Sequence, residues 1–152
     1  QNLRELTANQ INNDNFDIII ESYKIEKENN EFNGDWDPDT VININELQKE
    51  KKISGNNFWG DHILLQLIQE KLKLNIIIFN SENYFVETDK FKINSTVSND
   101  FEKYDRTIMI YFSDQIHFQL IGYFDGNKMK TIFAKNEIPE IVLEVYNKDC
   151  RN

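Results

Sequence analysis

The chain has 152 residues, 39% of them hydrophobic and 28% charged, and its 17 basic against 26 acidic residues give a formal charge of −9. A chain of this size buries about 70% of the surface its unfolded form exposes, so disorder is excluded as its general state. The acidic balance excludes phosphate-backbone binding, which needs a concentrated basic surface, and its apolar runs fall far below the ~18 residues of a membrane-spanning helix.

Residues 1–10 read as a polar-faced helix with none of the character of a secretory leader. In residues 2–12, Leu3, Leu6, Ala8 and Ile11 fall at helical spacing, and the cluster Asn12-Asn13-Asp14-Asn15 ends the pattern. Asn15 is suited to cap a second helix over 16–29, whose apolar face runs through Phe16, Ile19, Ile20, Tyr23 and Lys27. Residues 32–39 combine Gly34, Pro38 and three aspartates, which favours a loop. A short helix over 45–51 follows. A longer one begins at Asp61, where a carboxylate complements the helix dipole, with Ile63, Leu64, Leu67, Ile68, Lys71 and Leu72 as its inner stripe.

The run Asn75-Ile76-Ile77-Ile78-Phe79-Asn80 is short, β-branched and bounded by Asn, as expected of a strand covered on both faces. Residues 84–86 and 91–93 suggest short edge strands, and 94–100 a polar loop. Residues 107–112 and 116–124 read as neighbouring core strands across the turn-like Ser113-Asp114-Gln115. Asp125-Gly126-Asn127 signals a hairpin that pairs the second of these with 128–133. Asn136 is suited to cap a last helix with Pro139 in its first turn and Ile138, Ile141, Val142, Val145 and Tyr146 on its inner face. No repeat or linker divides the chain, so 1–152 reads as a single α+β domain.

The two histidines are the candidates for proton transfer near neutral pH. His62 falls in a helix first turn, where the positive dipole end disfavours an imidazolium, and reads as a surface or capping group. His117 opens an apolar strand just after a turn. Its ring is suited either to a cleft at a sheet end or to a core position bonded to a carbonyl. Cys150 lies near the last residue without the Gly-rich turn that would depress its pKa, and reads as an incidental thiol. That single cysteine and the lack of zinc-site spacing suit a reducing, intracellular setting, cytoplasmic or nuclear, with no metal or cofactor expected. Asp35, Asp37 and Asp39 mimic a calcium loop, yet Pro38 interrupts them and no closing bidentate Glu follows, so the segment reads as solvated.

Three strings, Phe58-Trp59-Gly60-Asp61-His62-Ile63-Leu64-Leu65-Gln66-Leu67, Asn75-Ile76-Ile77-Ile78-Phe79 and Ile108-Met109-Ile110-Tyr111 followed by His117-Phe118-Gln119, resemble in order and spacing the OTU (ovarian tumour) cysteine deubiquitinases. The resemblance spans about residues 3–124. It implies a papain-like fold with a central, mostly antiparallel sheet packed between helices, and a hydrolase that cleaves isopeptide bonds at the C-terminus of ubiquitin or a ubiquitin-like protein. It further implies His117 as general base, Gln119 at the third catalytic position where the family often carries Asn or Asp, Phe118 as the adjoining aromatic, and Trp59 and Gly60 as shaping the substrate cleft. The family's Asp-Gly-Asn-Cys type box is absent from these residues. Two expectations follow: an OTU-like domain without its N-terminal nucleophile segment, or an OTU-like module that is catalytically inactive and binds ubiquitin or another protein.

Overall fold

The computed structural model describes residues 3–53, 62–80, 93–96, 103–113 and 117–150. Among these residues it is an α+β structure of five helices, a mixed five-stranded sheet and a two-stranded one, and the chain divides into two compact units, Gln1–Lys71 and Leu72–Asn152.

The first unit is helical: α1 (Leu3–Ala8), α2 (Phe16–Glu28), a 3-10 turn (Pro38–Thr40), α3 (Ile44–Lys52) and α4 (His62–Leu72). Its core joins Ile19, Ile20 and Tyr23 of α2 to Ile11, Val41 and Leu47. The expected first helix stops short, at Ala8, and Leu3 is exposed, while Thr7, Ala8 and Ile11 are buried. Asn15 precedes α2 without capping it. Its Oδ1 accepts from the Asn12 N–H at 2.8 Å and its Nδ2 donates to the Gln10 carbonyl at 3.0 Å, so the side chain closes the preceding turn instead.

At the far end of α2, Asn30 takes φ 59°, and the Asn30 and Glu31 N–H groups donate to the carbonyls of Lys27 and Glu26. That left-handed cap satisfies carbonyls that the helix leaves open, at a residue type that tolerates the conformation. Lys27, expected on the apolar face, turns outward to the loop carboxylates described below. Asn43 caps α3 by accepting from the Glu46 N–H at 3.0 Å, and the Glu46 carboxylate accepts from the Ile42 N–H at 2.9 Å. On α4 the buried residues are Leu64, Leu65 and Gln69, with Ile63 and Leu67 packed on the cluster and Leu72 exposed, so the inner stripe is rotated from the expected one.

The second unit is built on a sheet. Strand β1 (Asn75–Asn80) runs parallel to β3 (Arg106–Ser113) and antiparallel to β2 (Ile93–Thr96). Ile76, Ile77, Ile78 and Phe79 are all buried, as expected of a strand covered on both faces. Residues 94–96, expected in a loop, belong to β2, because pairing with β1 overrides their polar composition. The expected strand at 84–86 lies outside the described residues. Asn75 anchors the start of β1: its amide donates to the Tyr104 carbonyl at 2.6 Å and accepts from the Tyr104 N–H at 2.9 Å.

The expected long strand over 116–124 is broken. β4 (His117–Ile121) pairs with β3 and ends before Gly122, after which β5 (Tyr123–Phe124) and β6 (Met129–Lys130) form a separate small hairpin. The Asp125-Gly126-Asn127 turn is as predicted, with Gly126 at φ 92°. Asp125 holds it by accepting from the Asn127 and Lys128 N–H groups at 2.9 and 3.0 Å. Strand β7 (Ile132–Ala134), expected to extend that hairpin, returns to β3 instead. Ile121 stands opposite Met109 and Ile132 opposite Ile108, so β4 and β7 lie end to end along one edge of β3.

Helix α5 (Glu140–Cys150) packs Val142 and Tyr146, together with Ile138 just before it, on Ile77, Phe79, Met109, Tyr111 and Phe133. Asn136, expected as its cap, falls inside a 3-10 turn (Lys135–Glu137), and α5 starts after Pro139, whose carbonyl accepts from Val142 and Leu143. Ile141, expected inward, is exposed, and Leu143 packs on the cluster in its place.

Candidate functional site

The β3–β4 pair carries the residues singled out for chemistry. Strand β3 ends at Ser113 and β4 opens at His117, and the two positions are register partners, so His117 sits at the end of the sheet where the chain reverses. The imidazole itself and the linking residues 114–116 lie outside the described atoms. Alternation along the strand puts positions 117, 119 and 121 on one side of β4, and Ile121 on that side packs against the α5 cluster. Gln119 is exposed and stands opposite the buried Tyr111. Phe118 is on the other side, half-buried, and its ring stacks on its register partner Phe112 with centroids 4.5 Å apart. Such a cross-strand aromatic pair fixes the local register and hence the height of position 117 on the sheet edge.

The expected substrate-side residues Trp59 and Gly60 lie outside the described residues. Cys150 is the last residue of α5, and its side chain is likewise outside them. His62 opens α4 and is exposed. Among the described residues no group of three or more His, Cys, Asp or Glu is arranged to hold a metal ion. No helix among them is long and apolar enough to cross a membrane.

The aspartate loop has a physical explanation. Lys27 Nζ reaches Asp37 Oδ1 at 2.6 Å and Asp39 Oδ2 at 2.5 Å, so an ammonium stands between two of the three carboxylates. The hydrogen bond from Lys27, followed by the Asp39 N–H, holds the Asp37 carboxyl below its ordinary range, and the same carboxylates raise Lys27. Glu137 is held low by Lys130 at 2.6 Å and then by the Ala134 N–H, and Asp125 by the two N–H groups of its turn. These are ion pairs and turns on the surface, and each has a structural role.

Two features escaped the sequence. The first is Lys51, on α3, which is 1% exposed. Its Nζ bonds the Tyr23 hydroxyl at 2.6 Å and lies 3.8 Å from the centre of the Tyr23 ring and 5.3 Å from that of Trp36. Tyr23, Phe32 and Trp36 meet edge to face with centroids 5.1 to 5.7 Å apart, so the ammonium sits among aromatic faces that stabilise a cation. Only the final-turn lysine run of α3 hinted at it, and helical periodicity does not tell a buried lysine from a solvated one. The second is a shallow open groove of about 420 Å³ lined by Asn45, Gln48, Lys49, Lys52 and Ile53, which contains none of the predicted site residues.

Comparison with known proteins adds no assignment: no protein-family model matches this chain, and neither does any curated protein.

Proposed function

We propose that this chain is the histidine-bearing part of an OTU-like, papain-related cysteine deubiquitinase, acting on isopeptide bonds at the C-terminus of ubiquitin or a ubiquitin-like protein inside the cell, in the cytoplasm or nucleus. The observation that carries the reading is the position of His117, first in β4 and paired with the last residue of β3, with Gln119 two residues on along the same side of the strand. An imidazole at the rim of a sheet can take a proton from an incoming thiol and return it to the leaving amine.

In this scheme the thiolate attacks the isopeptide carbonyl, backbone N–H groups stabilise the oxyanion, and the imidazolium protonates the departing lysine. The thiol and the oxyanion donors come from polypeptide outside residues 1–152. Gln119 orients the ring through its amide oxygen, and the resemblance assigns Trp59 and Gly60 to binding the ubiquitin tail. Support for the family rests on the three strings quoted above and on the strand order they occupy: β1 parallel to β3, then β4 antiparallel to it. The test is a full-length protein exposed to ubiquitin bearing a C-terminal electrophile. A covalent adduct is expected, and His117→Ala is expected to slow ubiquitin-chain cleavage by roughly a hundredfold or more. Absence of any adduct removes the reading.

One observation favours a second reading, a non-catalytic OTU-like module that binds ubiquitin. Gln119 is an exposed, uncharged amide and contributes no negative charge to an imidazolium at position 117. Titration of the 152-residue chain with labelled ubiquitin then gives saturable binding that survives His117→Ala. Undetectable binding at millimolar ubiquitin rejects it.

A further inference from the structure

Helix α2 is apolar on two opposite sides. Ile19, Ile20 and Tyr23 are buried in the core of the helical unit, whereas Ile18 and Ile25, seven residues apart and therefore stacked along the helix, are 70% and 50% exposed. A β-branched side chain at an exposed helix position is a weaker helix former than the Lys or Glu usually found there, and exposed apolar surface adds nothing to folding. This outer stripe therefore has no role in holding the unit together. It is edged on one flank by Asp17, Glu21 and Glu28, all exposed.

We propose that this outer face of α2 is a docking surface for a basic amphipathic helix, one that lays an aliphatic row over Ile18 and Ile25 and sets lysines or arginines against Asp17, Glu21 and Glu28. The charge pattern selects this occupant. A partner with a matching acidic flank meets three carboxylates along that edge against the single cation Lys24, and a second copy of this chain brings a further net −9. The surface is independent of the deubiquitinase reading and uses none of its residues.

The test uses the 152-residue chain and a fluorescently labelled 18-residue helical peptide with leucines on one stripe and lysines beside it. Two control peptides accompany it, one with glutamates in place of the lysines and one of scrambled order. Anisotropy titration is expected to show saturable binding of the lysine peptide, at least tenfold tighter than either control. Affinity is expected to fall at least tenfold in Ile18→Ser/Ile25→Ser and again in Glu21→Lys/Glu28→Lys. Both double variants change exposed side chains only, and circular dichroism checks that each keeps its helices. Equal affinity for the scrambled peptide, an unchanged affinity in both variants, or concentration-dependent dimerisation that blocks the peptide would each overturn the proposal.

Discussion

The cores of the two units are held by different physics. In the sheet unit, Ile77, Phe79, Met109, Tyr111 and Phe133 meet Val142 and Tyr146, and the cluster coheres by exclusion of apolar surface from water and by close packing. In the helical unit, aliphatic residues share the interior with an ammonium, a phenol and an indole: Lys51, Tyr23 and Trp36. A dispersive core is insensitive to direction, so one side chain can be traded for another of like volume at small cost. A core with a buried cation is directional, and the Lys51 ammonium in it depends on a particular neighbour, the Tyr23 hydroxyl.

That contrast can be broken by substitution. Phe133 is fully buried, and Phe133→Ala is expected to cost about 3–5 kcal/mol in urea unfolding through lost transfer energy and the cavity left behind. A cost below ~1 kcal/mol would mean that the sheet core is not close-packed. Tyr23→Phe removes a single oxygen and keeps the ring, so a purely dispersive core would not notice it. With Lys51 Nζ bonded to that oxygen, the same measurement is expected to show a loss of about 1–3 kcal/mol. A neutral result would make the helical core as indifferent to direction as the apolar cluster beneath α5.

The surface carries a weaker version of the same directionality, and it reads out in pH. The lowered Asp37 carboxyl stabilises the fold above its unfolded value near 3.8, and this contribution is lost as pH falls through the lower folded value. The raised Lys27 contributes fully below its unfolded value of 10.5 and loses its effect as pH rises through the higher folded value. Lys27→Met is therefore expected to flatten the alkaline limb of a melting-temperature profile and to shrink the acid limb, where Asp125 and Glu137 still titrate. Both effects are small, since these groups are solvated. An alkaline limb identical to that of the parent chain would show the ion pair to be energetically idle.

How much of this was legible in the sequence follows from the same division. Strand β1, the β3–β4 pair and the Val142, Val145 and Tyr146 part of the inner face of α5 were readable, because a dispersive core writes itself as runs and periods of apolar residues. The caps were misread at Asn15 and Asn136, since the side chain that bonds a helix end is chosen by local geometry among several adjacent Asn and Asp residues. The hairpin was half read: its Asp-Gly-Asn turn is local chemistry, whereas the return of Ile132 to β3 is a tertiary choice between two available strand edges. Within the candidate site, the placement of His117 at a strand start was legible from the turn-like residues before it. The burial of Lys51 was not, because its partners come from α2 and from the loop after it.

The end-to-end arrangement of β4 and β7 has an evolutionary corollary. The ten residues between Ile121 and Ile132 leave the ladder and rejoin it one position further along β3, and their exposed tip contributes nothing to the cluster beneath α5. Such a detour is a natural place for insertion and deletion, so homologues are free to differ there in length and composition while the strands on either side keep their register.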